Sequence, residues 1–201
     1  EVLVQSLTYV ACFQAITACG AIPIACEVES ESLTIDLIDA KEKITDRTKV
    51  IMPVHYTGSP GNLSEIYNFA KNNNLRVVED AAHAFGSKYN DSLIGSIGDI
   101  ICFSFDGIKN ITCGEGGAIV TRDEKVINLI KDIRLLGVEK DSDNRYLNKR
   151  TWDFDVKQQG WRYHMSNIMA AIGSVQLRKF EIFKNRRQDL AIQYVLKLKT
   201  K

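Results

Sequence analysis

Val77-Val78-Glu79-Asp80-Ala81-Ala82-His83 reads as an apolar strand that runs straight into two carboxylates, two residues with tiny side chains and an imidazole. Open α/β sheets place their sites at the carboxyl ends of strands, and small residues there let something flat approach the backbone. The bland alternative is a strand that ends in a solvated turn, and this stretch alone leaves the two readings balanced. Outward from it, short apolar runs alternate with helical patterns, the signature of an α/β domain with a mostly parallel sheet. Strands are expected at 2–5, 22–26, 49–54, 75–79, 100–105 and 117–121, each apolar or β-branched throughout, as strands covered on both faces are. Helices are expected near 9–19, 35–44, 62–73 and 124–135. Gly20 is placed to stop the first of these, and Asn72-Asn73-Asn74 the third. The segment 139–158 is polar and irregular. From Ser166 to about Lys199 the pattern is helical again, as one long helix or two in tandem.

The 201 residues allow one substantial domain with a core, or one domain and part of another. With 45% hydrophobic and 25% charged residues and a formal net charge of +1, nothing points to nucleic acid or an anionic membrane as partner. A late basic cluster (Lys184, Arg186, Arg187, then Lys197, Lys199, Lys201) reads as the solvated face of a helix and its frayed tip. The five cysteines, at 12, 19, 26, 102 and 113, lie in apolar surroundings and far from any C-x-x-C zinc or redox spacing. They read as buried small hydrophobes in a reducing compartment, with the cytoplasm as default and no metal site expected. No signal peptide and no bilayer-length apolar run is visible. The chain opens at Glu1 directly in Val2-Leu3-Val4 and ends in a lysine-rich helical tail, which reads as a fragment of a longer protein.

Two further stretches carry chemistry. In Cys102-Phe103-Ser104-Phe105-Asp106-Gly107-Ile108-Lys109 a strand ends in a hydroxyl, and a lysine follows five residues later. A confined, apolar setting weakens a lysine's preference for the charged form, as a Schiff-base nucleophile requires; an ordinary surface lysine is the commoner outcome. Thr112-Cys113-Gly114-Glu115-Gly116-Gly117-Ala118 has three glycines in four positions before an apolar strand, which implies tight turns or close backbone approach. It matches neither a P-loop nor G-x-G-x-x-G.

In this order, E-D-A-A-H, G-D-x-x-C-F-S-F-x-x-x-K and T-x-G-E-G-G resemble the DegT/DnrJ/EryC1/StrS group of sugar aminotransferases. Ser6-Leu7-Thr8-Tyr9 is similar to the group's P-S-L-T-[FWY] segment, and Pro53-Val54-His55-Tyr56-Thr57-Gly58 to its P-V-H-x-x-G turn. Gly160-Trp161-Arg162-Tyr163-His164-Met165-Ser166-Asn167, running into Ala170-Ala171-Ile172-Gly173 and Gln176-Leu177, is similar to its G-[YF]-N-[YF]-R-[ML] segment and following helix. The resemblance covers essentially the whole chain.

It implies a fold-type I large domain, a three-layer α/β/α sandwich with a mixed, mostly parallel sheet whose strand near 117–121 is antiparallel. The domain division it implies is 1–165 as a cofactor-binding large domain truncated at its N-terminus, and 166–201 as a helix leading towards a C-terminal small domain. It implies pyridoxal 5′-phosphate (PLP) as cofactor. Lys109 takes the position of the lysine that holds the cofactor's aldehyde and shuttles the proton; Asp80 takes that of the carboxylate beside the pyridine nitrogen. His83 falls near the ring hydroxyl, Ser104 on the phosphate, Tyr9 stacked on the ring and Ala82 against its other face, with core packing as the alternative for Tyr9 and His83. Arg162 stands where the group usually has an Asn that reaches the neighbouring subunit's phosphate, and His164 where it has Arg; Arg162 could serve by charge and bidentate geometry. The group's phosphate-binding G-T-x-A-L loop would precede Glu1. The implied partners are an amino-acid donor, glutamate first, a nucleotide-linked keto sugar, and a second copy of the chain in a homodimer with shared active sites. The alternatives are a non-catalytic dimerising or regulatory fragment, and a PLP-dependent sugar dehydratase. Such dehydratases carry His at the lysine position, against which Lys109 argues.

Overall fold

The computed structural model describes residues 1–139, 147–149 and 154–199. By its internal contacts the chain divides into two compact units: Glu1–Ser104 with Ala118–His164, and Phe105–Gly117 with Met165–Lys201.

The first unit is built on a six-stranded sheet. Its strands are β1 (Val2–Gln5), β2 (Pro23–Cys26), β3 (Val50–Met52), β4 (Arg76–Asp80), β7 (Ile100–Ser104) and β8 (Gly117–Thr121), in the spatial order β2-β1-β3-β4-β7-β8. The pairings β1–β2, β1–β3, β3–β4 and β4–β7 are all parallel. Phe105, just past β7, donates its N–H to the carbonyl of Gly116, just before β8, at 2.7 Å. Neighbouring strands joined end to start in this way run antiparallel, so β8 is the mixed member of the sheet. A small antiparallel ribbon, β5 (Lys88–Tyr89) and β6 (Ser92–Leu93), escapes the sequence reading. Its strands are too short and polar to show a period, although Asn90 and Asp91, both at positive φ (47° and 61°), form the kind of turn that favours these residues.

Side chains alternate across the strands, and helices cover both faces. On one face Leu3, Ile51, Val77 and Ile101 form a core with Ala40 of α2 (Leu37–Glu42) and with Leu63, Ile66 and Ala70 of α3 (Leu63–Asn72). On the other, Val2, Val4 and Val54 pack with Cys12 and Ile16 of α1 (Ala11–Ala18). This is the three-layer α/β/α arrangement that the alternating pattern implies. Gly20 (φ 74°) and Asn74 (φ 55°) take the left-handed conformation just past α1 and α3. Asp36 caps α2, and Asp123 caps the half-buried amphipathic α4 (Glu124–Ile133), by accepting the first-turn amides. One expectation fails. β8 is not covered on both faces, for Ile119 (49% exposed) and Val120 (37%) lie open.

The polar segment 139–158 falls largely outside the described residues; its described ends pair through a bridge between Val138 and Val156 and a 2.8 Å ion pair of Lys157 with Glu139. In the second unit, 167–198 is one helix, α5 (Asn167–Leu198), capped by Ser166, rather than two in tandem. No described helix is long and apolar enough to cross a membrane.

Candidate active site

The sheet order reverses at β1, whose neighbours β2 and β3 lie on opposite sides of it. At such a switch point the chain leaves adjacent carboxyl ends in opposite directions and opens a crevice. The carboxyl ends of β1, β3, β4 and β7 bring Thr8 and Tyr9, His55, Asp80 with Ala82 and His83, and Ser104 to the same edge of the first unit.

Asp80 is the best-held of these. Its backbone N–H donates to Pro53 O (2.9 Å), and its carbonyl accepts from His55 N–H (3.0 Å). Its Oδ1 accepts from Ala82 N–H at 2.9 Å and its Oδ2 from the Cys12 thiol at 2.9 Å. The carboxylate is half-buried, so it keeps a side open to a ligand. Next along the chain, Ala81 is fully buried, Ala82 is half-buried and His83 is exposed. The turn these residues form lies close on Gly58 (φ 89°), where an added Cβ would come 2.9 Å from the carbonyl of His83. Tyr9 stands out from the end of β1, 75% exposed, and Ser104 is half-buried at the end of β7. A clamped carboxylate, two small alanines and an exposed aromatic suit a flat nitrogen heteroaromatic such as PLP. Among the described residues no cluster of His, Cys, Asp and Glu could hold a metal ion.

Adjacent Glu79 has a different fate. It is 1% exposed and lies against His55 (1%), with Glu79 Oε2 2.7 Å from His55 Nε2. The Tyr67 hydroxyl donates to Glu79 Oε1 and accepts the Asp99 amide at 2.8 Å. Burial, then the bond to Glu79, pushes the Tyr67 hydroxyl well above its ordinary value. Burial first, then the bond to Asp80, pushes the Cys12 thiol up to about 12. Burial, with Asp80 and Glu79 nearby, pushes Cys102 up to about 11.

Arg162 belongs to the first unit, in a short antiparallel pairing with the end of α4. Trp161 N–H donates to Ile133 O, Leu136 N–H to Trp161 O (3.0 Å) and Tyr163 N–H to Arg134 O (2.9 Å). The alternation read from the sequence is present: the rings of Trp161 and Tyr163 stack at 6.1 Å and 10°. Tyr163 is nevertheless 75% exposed, Arg162 is exposed, and His164 has its Nδ1 buried with no hydrogen-bond partner among the described residues.

Lys109 lies in the second unit and is half-buried, its N–H donating to Asp106 O at 3.1 Å. The same loop is closed by Cys113 N–H on Phe105 O (2.9 Å) and by the Thr112 hydroxyl, which donates to Phe105 O and accepts Gly114 N–H (2.9 Å). The glycines permit close approach. A Cβ on Gly116 would lie 2.7 Å from Met165 Cε, one on Gly114 3.3 Å from Met169 Sδ, and one on Gly173 of α5 3.2 Å from Cys113 Cβ. Arg187 of α5 donates to the carbonyl of Asn110, next to Lys109, at 2.9 Å.

Comparison with known proteins decides the family, because the model of the DegT/DnrJ/EryC1/StrS aminotransferase family matches residues 1–200. The chain belongs to this family. It is 40% identical over 194 residues to the uncharacterized protein MJ1066 of Methanocaldococcus jannaschii and 36% identical over 194 residues to the spore coat polysaccharide biosynthesis protein SpsC of Bacillus subtilis, in each case over 96% of this chain and 50% of the relative. Among solved structures, the sugar aminotransferase CalS13 of Micromonospora echinospora superposes with a TM-score of 0.88 at 30% identity, over 98% of this chain and 54% of its own. Spr1654 of Streptococcus pneumoniae, solved in PMP and PLP forms, superposes with TM-scores of 0.86 and 0.84 at 30% and 29% identity, over 96% of this chain and 54% and 52% of its own. The chain therefore spans about half the length of the relatives it matches. The family places the sheet among fold-type I sugar aminotransferases and makes PLP the cofactor.

Sequence reasoning missed Cys12 and the buried His55–Glu79–Tyr67 group. An apolar filler is what the sequence shows, and the 4% exposure of Cys12 agrees with that; nothing local shows that its thiol donates to a residue 68 positions away.

Proposed function

We propose that the protein carrying this chain is a PLP-dependent aminotransferase that moves an amino group from an amino acid, glutamate first, to a nucleotide-linked keto sugar in amino-sugar or surface-polysaccharide synthesis. The carrying observation is the Asp80 carboxylate, half-exposed at a strand's carboxyl end, followed by two small alanines and held at both oxygens. The polysaccharide name of SpsC and the sugar aminotransferase CalS13 support the sugar class.

When bound, PLP supplies an electron sink and carries the amino group between the two substrates. In the proposed roles, Asp80 accepts a hydrogen bond from the protonated pyridine nitrogen and keeps the proton there. Tyr9 and Ala82 enclose the ring, His83 meets its hydroxyl, and Ser104 donates to the phosphate. Lys109 Nζ holds the cofactor covalently and, once released, moves the proton at the reacting carbon. Arg162 contributes charge and two donors to a phosphate of the neighbouring subunit in a homodimer. Residues 1–165 act as the cofactor-binding domain, and the setting is the cytoplasm.

Borohydride reduction of the PLP complex of the intact protein, followed by peptide mapping, tests the assignment. Label is expected on Lys109, and label on Lys88 or Lys125 instead overturns it.

A further inference from the structure

A carboxylate that must sit squarely against a ring nitrogen needs its plane fixed, and in this chain a thiol helps to fix it. Ionised Asp80 can only accept hydrogen bonds. The 2.9 Å contact between Cys12 Sγ and Asp80 Oδ2 therefore uses the single proton of the thiol. Thr8 Oγ1 lies 3.0 Å from the same sulfur, and taken alone either atom could donate. With the thiol proton committed to Asp80, only the Thr8 hydroxyl can. The direction of the chain follows: Thr8 O–H to Cys12 Sγ, Cys12 S–H to Asp80 Oδ2. Ala82 N–H holds the other oxygen at 2.9 Å.

We infer that Cys12, backed by Thr8, is a positioning residue for Asp80, and that its thiol sets how strongly that carboxylate holds the proton of the cofactor's ring nitrogen. The inference rests on the function proposed above. Two donors from different elements, the first turn of α1 and the turn after β4, fix the carboxylate plane where one would leave it free to rotate. Cys12 is 4% exposed, so water does not substitute for it. With its ordinary value of 9.0 moved to about 12 by burial and then by Asp80, the thiol stays a neutral donor across the working range. A thiol is a weaker donor than a hydroxyl. It orients Asp80 while withdrawing little of its charge.

Five variants of the intact protein separate the possibilities, read by PLP titration and by the 15N shift of PLP labelled at its ring nitrogen. Cys12→Val removes the proton and retains an apolar side chain; PLP is expected to bind about threefold to tenfold more weakly, the scale of one hydrogen bond, with the 15N signal moved towards the unprotonated form. Cys12→Ser restores a donor and is expected to bind PLP within about twofold of the parent. Thr8→Val, which leaves the thiol in place, is expected to cost about twofold. Cys26→Ala is the packing control: that thiol is equally buried but bonds Ile24 O rather than Asp80, and PLP affinity should not change. If Cys12→Val and Cys26→Ala both leave affinity and the 15N signal unchanged, or both weaken binding alike, the inference is wrong. Should Cys12→Val not fold, Thr8→Val decides, and an unchanged affinity and 15N signal there overturn the relay. Asp80→Asn separates the two levels. If it leaves the 15N signal unmoved, the reading of Asp80 itself fails; if it moves the signal while the Cys12 and Thr8 variants do not, only the positioning role fails.

Discussion

Replacing Glu79 by alanine tests the buried group beneath the site most directly. The side chains of His55 and Glu79 are 0% and 1% exposed, so neither can turn to water when the other is lost. Glu79→Ala leaves two donors, the buried His55 Nε2–H and the half-buried Tyr67 hydroxyl, without their acceptor. At about 1–3 kcal/mol for each unsatisfied group, the loss is about 2–6 kcal/mol. Breaking a buried pair by deleting one partner costs about 3–5 kcal/mol, in agreement with that sum. His55 cannot compensate, because its Nδ1 is already buried without a partner. A value near 4 kcal/mol is a large part of the 5–15 kcal/mol that holds a typical domain together. Urea unfolding of the intact protein, followed by circular dichroism, reads it: with a slope of about 1–3 kcal/mol/M, the midpoint should fall by about 1.3–4 M at unchanged slope. Tyr67→Phe should lose about 1–3 kcal/mol, because it removes the donor to Glu79 and the acceptor of the Asp99 amide but leaves the His55 contact intact. A loss below about 1 kcal/mol for Glu79→Ala would falsify the view that these three side chains act as one buried unit.

Gly160→Ala should loosen the segment that carries Arg162, because the new Cβ would lie 2.1 Å from Gly137 N and 2.4 Å from Leu136 C, both backbone atoms; a loss of about 1–3 kcal/mol is expected, and an unchanged melting temperature would contradict it. Stability should fall as pH rises above about 8.5, where unfolded thiols ionise, because folded Cys12, Cys26 and Cys102 keep their protons until about 12, 11 and 11. Melting temperatures from neutral pH to pH ~10.5 should show this decline and should flatten in Cys26→Ala; an identical slope in that variant refutes the thiol's part in it. The Arg76 guanidinium, bonded to both oxygens of Asp99 (2.7 and 2.6 Å), holds that carboxyl below its ordinary value. Its contribution is therefore present above about pH 4 and lost as pH falls through the lowered value; Arg76→Ala should reduce the acid sensitivity seen in urea melts between pH ~6 and ~3, and equal sensitivity in the variant argues against the pair.

What could be read along the chain and what could not differ in range. Strands such as Val50–Met52 and Ile100–Ser104 announce themselves because a buried strand must be apolar over its own few residues, and α3 because its buried positions Leu63, Ile66 and Ala70 recur at helical spacing. Even the end of α1 is local, since Gly20 adopts its positive φ without strain. Asp80, Ala82 and His83 were legible as candidates because their chemistry is concentrated in four consecutive residues. The Cys12–Asp80 bond was not, since the partners are 68 residues apart and a cysteine in an apolar run looks the same whether or not its proton is used. The exposure of β8 was hidden for a related reason: an apolar strand reports what it can pack against, and Ile119 and Val120 have no such cover.

Glu79 and Asp80 carry the same charge at neighbouring positions of one strand, and the pleat gives them opposite work. Successive side chains on β4 leave opposite faces. Glu79 is in phase with Val77, part of the core that includes Leu63 and Ile66 of α3, and its oxygens meet Tyr67 and His55 there. Asp80 meets Cys12 of α1, which packs in the core of the other face with Val4 and Val54. Each carboxylate meets two side-chain or amide donors, so the number of donors does not separate them. Access does: Glu79 is 1% exposed and its group is closed by its own neighbours, whereas Asp80 is half-exposed at the sheet's carboxyl edge. His55 ties the two together, giving its backbone N–H to the Asp80 carbonyl and its ring to Glu79. Buried rigidity on one face thus steadies the backbone of the residue that meets the ligand on the other, and a single residue's shift in register would exchange the two carboxylates and place the buried one at the site.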